Sequence, residues 1–511
     1  MRNHFLTFIL LISCWGTTFC QEQEKTIEFE KRIEIDFKDE EVTVKGTYEI
    51  GEEGVLIYTT KEADKKGEGA QYTVNKYDVN LEKVDEVNIS IPYKRFYSIV
   101  DKTDDKFYNL FVNSKKKSNE VTIVEVDQKT LKTKETIAKL PEKAFAKRFL
   151  VVGNIALISG SLKKEEFLVT VNLNTGKHEI VPLTFSQLAG CKRVKVNSIS
   201  KIFGSDETLL FISGYLKKDK KVLVVTLDEK GQKKNEFVIS DDLEKTVVSI
   251  SGTKTGNDEF IFTGTYNSKS KVTSEGLYVC KTVGNSVDFV NFINYLDLSN
   301  FTSYLPEKKQ AKIEKKKKKK KAKGKELTID YFVASHHVIN MNDGYLYIGE
   351  CYYPTYRSEM RTTYVNGKPT TTYVTVFDGY QYTHAVLVKY DKEGNKVWDE
   401  IFDMSISHKP FYVKRFIHIA DEKQESLKLA YATGSRIYSK EFDWDGKLIR
   451  EETSEEIGSD EEGDKVKYTT SSMIFWYDNY FLSYGSQKIK NKESDKVKRK
   501  RIVYFLTKIK F

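Results

Sequence analysis

The sequence predicts an all-β chain of about eight four-stranded repeats, with seven as the alternative count. Three observations carry that prediction. A glycine that closes an apolar run recurs along the chain, short β-rich segments flank each copy and end in hairpin-turn chemistry, and helical periodicity is almost absent. With 511 residues, 39% hydrophobic and 13% aromatic, the chain can bury a large core.

The recurring signature reads ALISGS at Gly160, LFISGY at Gly214, FIFTGT at Gly264, LYIGEC at Gly349, LAYATGS at Gly434 and FLSYGS at Gly485. Weaker copies, VLIYTT near Thr59 and NLFVNS near Asn113, extend it toward the N-terminus. Spacings run mostly from 47 to 54 residues; Gly264 to Gly349 and Gly349 to Gly434 are each 85, one period plus an insertion. Ahead of each copy lies a strand such as VNSIS (196–200), VVSIS (247–251) or RFIHIA (415–420). Behind it a third strand closes on a turn, as in LVTVNLNTGK (168–177), VLVVTLDEKGQ (222–232), AVLVKYDKEGNKVW (385–398) and KEFDWDGKL (440–448). There an Asp or Asn caps the turn and a Gly accepts positive φ. A fourth strand follows, for example NEFVIS (235–240).

A single four-stranded unit cannot bury both of its faces until neighbours stack on it. Repeats of this kind resemble those of the β-propeller superfamily over residues 25–511. The resemblance implies one ring of blades. A pair of β-sandwiches or a β-solenoid would also show strands and turns, but neither requires the same glycine at a regular period. The last repeat stops at its third strand, IVYFLTKIKF (502–511), while KTIEFEKRIEID (25–36) precedes the first. An N-terminal strand that completes the last blade accounts for both leftovers and covers both edges.

Residues 1–20 read as a signal peptide, with Arg2, an apolar run from Phe5 to Ile12 and cleavage after Cys20. A rival reading takes Leu11–Cys14 as a lipobox with Cys14 lipidated. Either places the mature chain, from residue 21, in the periplasm or on an outer membrane, with free secretion as the weaker alternative. No later stretch is apolar enough for a transmembrane helix. Cys191, Cys280 and Cys351 lack metal-site spacing, leaving one bridge or free thiols.

The formal charge of +9 is local: residues 308–325 hold twelve lysines against one glutamate. Within them Lys315, Lys316, Lys317, Lys318, Lys319, Lys320 and Lys321 form an unbroken run, whose mutual repulsion predicts an extended, solvated loop. The run falls in a blade-to-blade insertion at 297–330. A second insertion, 353–383, separates strands two and three of repeat six and centres on the hairpin signal Asn366-Gly367. Tyr352, Tyr353, Tyr356, Tyr364, Tyr373, Tyr380 and Tyr382 lie on or beside it. They either pack the hairpin onto the blade or form an interface, since tyrosine brings area and a hydrogen bond at low entropy cost. A third insertion, 487–500, carries a basic run with Lys498 and Arg499, and an acidic stretch, 451–464, joins repeats seven and eight. Strand alternation places all four on one face, from blade five to blade eight.

No motif for catalysis, metal or cofactor stands out. Of His178, His336, His337, His384, His408 and His418 only two are adjacent, and neighbours on a strand point to opposite faces. Structural roles fit them best. DKEGNKVW (391–398) has only a faint likeness to a sialidase-type turn, and DWDGK (443–447) reads as a plain turn before it reads as a calcium site. The leading expectation is therefore a non-catalytic binding or scaffold protein that docks another envelope component, most plausibly protein. Its candidate contact residues are Tyr353, Tyr356, Tyr364, Tyr373 and Tyr380, the seven-lysine run, Lys498 and Arg499, with no metal or cofactor. One alternative is a carbohydrate hydrolase or lyase with a central-channel site. A second is a binder of polyanions such as anionic lipid or polysaccharide; nucleic acid fits poorly, because no aromatic residue interleaves with the lysines.

Overall fold

The continuous apolar runs of the second and third strands require cover on both faces, and the arrangement of the sheets supplies it. A computed structural model of the chain describes residues 27–511 apart from 37–41, 62–70, 92–95, 114–118, 164, 218, 240–244, 269–270, 366–367, 410–411, 421–424 and 495–496. The expected signal peptide, Cys14 and the Asn366-Gly367 turn lie outside the described residues. Eight antiparallel sheets follow one another in sequence order, four-stranded throughout except that the first strand of blade 6 is split into Phe332–Ser335 and Ile339–Met341. In each of blades 1 to 7 the strands are ordered as they occur in the chain.

Blade 8 differs as the leftover segments require. Its strands Lys465–Tyr477, Tyr480–Lys490 and Lys500–Lys510 are completed on the outside by the N-terminal strand Glu28–Asp36, which pairs antiparallel with the last strand. Among the described residues, eight clusters of buried apolar side chains each join one blade to the next. The one formed by Val55, Ile57, Trp476 and Leu482 joins blade 8 back to blade 1. The chain is therefore a closed eight-bladed propeller, with first strands around the axis and exposed fourth strands such as Lys83–Ser90 outside. Trp476 locks the closing joint, donating its indole N–H to the carbonyls of Gly51 and Gly54, both at 2.9 Å.

The glycine signature has a steric cause. Gly160 and Gly264 sit in mid-strand opposite a bulge in the first strand of their blade. A Cβ on either would lie 2.0 Å from a backbone oxygen, that of Phe145 or Ser249. Gly434 is a correction to the expected register: it lies in the turn after Leu427–Thr433 with φ +57° and is not the equivalent of the others.

The lysine run is a second correction. Residues Glu307–Lys321 form an α-helix, not an extended loop, although all its residues are at least partly solvent-exposed. Lysine is a good helix former, Glu307 lies in the first turn and Lys318–Lys321 occupy the last, so both ends complement the helix dipole. Lys317 also reaches back to the Leu296 carbonyl and to Asp297 at 3.1 Å. The residues before the helix are laid against blade 6: the amides of Ser299 and Asn300 donate to the Asp399 carboxylate, and Tyr304 stacks on His384. Cys280 and Cys351 are buried free thiols and Cys191 is half-buried.

Ring closure gives a direct test. Deleting residues 27–36 bares the edge of Lys500–Lys510 and takes Glu34 from Arg501, which it meets at 3.0 Å. The expected outcome is loss of the cooperative thermal transition and of the monomer peak in size-exclusion chromatography; a truncated chain that melts like the parent contradicts the closure.

Candidate functional site

Three features gather on the face that carries the blade-to-blade and second-to-third-strand loops, and each arises where the repeat departs from its pattern. The first is the blade-6 hairpin. Its strands, Gly344–Val365 and Lys368–Asp391, stay paired to their last described residues and far outrun the seven to nine residues usual in other blades. Beyond the bulge beside Gly379 the third strand leaves its outer neighbour, so a free two-stranded ribbon projects for about 30 Å.

The ribbon is amphipathic. Cross-strand pairs Tyr356–Phe377, Met360–Tyr373 and Tyr364–Pro369 share one face, because alternate residues of each strand point the same way. Tyr356, Met360, Tyr364 and Tyr373 are 61%, 64%, 75% and 76% exposed, so that face packs on nothing in the described structure. Arg357, Glu359 and Arg361 form an ion-paired row on the other. The remaining tyrosines serve the base: Tyr352 and Tyr382 are buried, and Tyr380 is half-buried, edge-on to Tyr352 and Phe377.

The other predicted contact residues come from other segments of the same face. Lys315–Lys321 lie on the helix in the connection between blades 5 and 6; as consecutive helical residues they point all round its axis. Lys498 and Arg499 belong to blade 8, where Lys498 meets Asp36 at 3.7 Å. The acidic and basic insertions partly neutralise each other: Arg501 binds Asp464 through two nitrogens at 2.9 and 2.6 Å, and Asn491 joins them at 2.9 Å.

The second feature is a groove of about 1070 Å³ where blades 8 and 1 part above their packed lower half. It is walled by Val42–Tyr48 and parts of three blade-8 strands, and Tyr412 and Lys414 enter it from blade 7. Those two arrive because blade 7 has almost no first strand: among the described residues only His418–Ile419 pairs with its neighbour. The amides of Phe416 and Ile417 instead donate to the fully buried carboxylate of Glu350, at 2.8 and 2.9 Å, and His336 Nε2 meets the same carboxylate at 2.8 Å. Tyr382 Oη donates to the Lys414 carbonyl at 2.6 Å and accepts from its amide at 3.1 Å. Lys414 Nζ then reaches Ser472 Oγ at 2.5 Å across the ring of Phe416. Burial holds the ammonium down to about 8, with Glu350 pulling the other way.

The third feature is a recess of about 380 Å³ between blades 6 and 7, with Tyr304, Tyr353 and the stacked pair Tyr431–Tyr438 around Asp403 and Glu452. Burial raises the pKa of both carboxylates, and Asp403 raises that of Glu452 further. Tyr353 thus belongs to this recess. Among the described residues, no three His, Cys, Asp or Glu side chains gather as a metal site requires.

Sequence reading missed the groove and the recess because their residues come from separate repeats. One signal was available: Glu350 is the only acid at the position after the signature glycine, where other copies carry Ser, Tyr or Thr.

Two stability measurements test this construction. Replacing Glu350 by Ala leaves two amides and His336 without their buried acceptor, and chemical denaturation is expected to show a loss on the order of 3 kcal/mol. His384 is fully buried, and burial holds its imidazole down to about 3 from the ordinary 6.5. The unfolded chain therefore binds the extra proton, and stability, complete above pH 6.5, falls as pH drops toward 3. One such group contributes at most about 1.4 kcal/mol per pH unit, and melting curves of His384→Phe are expected to show a shallower decline than the parent.

No family model matches the chain, and no curated protein matches it. Among solved structures it is similar to the β-propeller domain of the Trilobed protease from Pyrococcus furiosus, at 12% identity and TM-score 0.33, over 84% of this chain and 99% of that one. It is similar also to TolB from Acinetobacter baumannii, at 12% and 0.28 over 76% and 77% of the two chains. Likeness to the polysaccharide lyase Uly1 is at 9% and 0.35, over 80% and 89%. Scores this low carry nothing about chemistry. The eight blades and their N-terminal closing strand make the chain a β-propeller protein.

Proposed function

We propose that this is a non-catalytic binding protein of the cell envelope, docking a protein partner through the aromatic face of the blade-6 ribbon. The single observation that carries the reading is that face: Tyr356, Met360, Tyr364 and Tyr373 in register, exposed, on a ribbon with no blade beneath it. A two-stranded ribbon has little stability alone, and exposed tyrosines and a methionine on one face match the composition of interface cores. The lysine helix and the blade-8 basic loop would act on orientation and association rate, as exposed charges do. No described helix is long and apolar enough to cross a membrane, so placement in the envelope rests on the N-terminal sequence.

The hydrolase alternative gains less support. Among the described residues, the groove between blades 8 and 1 is lined by no carboxylate and no histidine. The recess brings two interacting carboxyls together, Asp403 and Glu452, and is where that alternative would have to be tested.

The test uses the tagged full-length protein purified from its native envelope. Changing Tyr356, Met360, Tyr364 and Tyr373 together to Ser is expected to abolish co-purification of the partner while thermal stability stays within about 0.5 kcal/mol per site, as at other surface positions. Lys315–Lys321 changed to Gln is expected to slow association and flatten its salt dependence without abolishing it. Unchanged co-purification in the ribbon variant overturns the reading.

A further inference from the structure

The groove between blades 8 and 1 has a chemistry that the docking role does not use. Among the described residues its lining holds ten hydroxyl side chains, four of them tyrosines, with Lys45 and Lys414 and no acidic group. Among the described residues, neither lysine has a carboxylate within ion-pair distance. Lys414 is half-buried, and its Nζ reaches Ser472 Oγ; the buried carboxylate of Glu350, on blade 6, is occupied by His336 and the Phe416 and Ile417 amides. Ser471 Oγ, of a residue also in the lining, is buried with no hydrogen-bond partner among the described residues.

A ligand that suits these walls brings negative charge to Lys414 and many groups that both donate and accept hydrogen bonds. It also needs apolar ring faces for the tyrosines. A simple anion meets only the first requirement and a neutral sugar only the others. A peptide would find backbone partners only along the inner edges of Val42–Glu49 and Lys465–Tyr477, since the other strands of the walls are paired on both sides within blade 8. A volume of about 1070 Å³ is large even for a drug-sized ligand and accommodates several sugar rings. We propose that the groove binds an anionic oligosaccharide, with its carboxylate or sulfate group on Lys414 and its hydroxyls and ring faces on the Ser, Thr and Tyr walls. Lys45, exposed on the blade-1 wall, meets a second acidic sugar along the same chain.

Each part of the ligand answers an observation: charge the two lysines, which meet no carboxylate among the described residues, hydroxyls Ser471 Oγ and its neighbours, and ring faces the tyrosines. The inference is independent of the ribbon, which lies on blade 6. It differs also from a general attraction of polyanions to the lysine helix, since the helix is outside the groove.

The experiment is calorimetric titration of the full chain with oligogalacturonate, a sulfated galactan oligosaccharide, neutral galacto-oligosaccharide and inorganic polyphosphate. The expected result is saturable binding of at least one charged sugar, with the neutral sugar and polyphosphate weaker by tenfold or more. Lys414→Met is expected to weaken the charged sugar by about tenfold or more, the scale of one lost hydrogen bond to a charged group. Its thermal transition serves as the folding control; should that variant fail to fold, Tyr412→Ser and Lys45→Met, both at exposed positions, replace it and are expected to weaken binding. Lys315–Lys321 changed to Gln is expected to leave affinity unaltered. The proposal is overturned if no charged sugar binds, if neutral sugar or polyphosphate binds as tightly, or if binding survives the groove variants and disappears with the helix lysines.

Discussion

A sheet with apolar side chains on both faces has no stable existence until each face is covered, and this constraint organises the whole molecule. The buried runs Val55–Thr60, Leu209–Ser213 and Ala385–Tyr390 show it strand by strand. Every blade therefore needs two neighbours, and a linear stack always leaves two faces bare; only a ring leaves none. Closure depends on the joint between blades 8 and 1, where the N-terminal strand supplies the missing outer strand and Trp476 and Thr47–Tyr504 hydrogen bonds span the seam. The Arg501 guanidinium, held by Asp464 and Glu34, ties that strand to the acidic connection from blade 7.

The same constraint explains why the departures fall where they do. Inner and outer strands can shorten or lengthen, because only the middle two strands must be buried on both faces. Blade 7 all but loses its inner strand, and backbone amides that would have gone unpaired are met by Glu350 instead. A buried carboxylate is tolerable only when nearly all its acceptor capacity is used, which three donors achieve. The segment from Tyr412 to Ile417 is thereby freed from strand geometry and turns Lys414 toward blade 8. Blade 6 departs the other way, extending its middle strands past the ring into a ribbon.

Fold and site differ in how they were written into the sequence. The glycine signature was legible because a bulged inner strand crosses the second strand so closely that Gly160 and Gly264 have no room for a Cβ. The blade-6 ribbon was legible too, from its paired β-formers and the Asn-Gly turn signal. Gly434 misled because a turn glycine and a close-approach glycine look alike in one dimension. Lys315–Lys321 misled because repulsion was weighed without the helix propensity of lysine and the dipole that favours cations in a last turn. The groove was not legible at all: Tyr48, Lys414, Ser472 and Tyr504 come from blades 1, 7 and 8, and only closure of the ring brings them together.

One residue joins the two departures. Tyr382 lies in the third strand of blade 6, directly below the ribbon, fully buried against Tyr352 and Phe416. Its hydroxyl holds both the amide and the carbonyl of Lys414, so the backbone that carries the groove's lysine hangs from the strand that carries the ribbon. Interiors packed at this density do not deform continuously, and a shift of the ribbon's base must either break those two hydrogen bonds or carry Lys414 with it. The buried stem of the ribbon therefore has to be rigid for the groove to keep its shape, which accounts for the aromatic packing of Tyr352, Phe377, Tyr380 and Tyr382 where the ribbon leaves the ring.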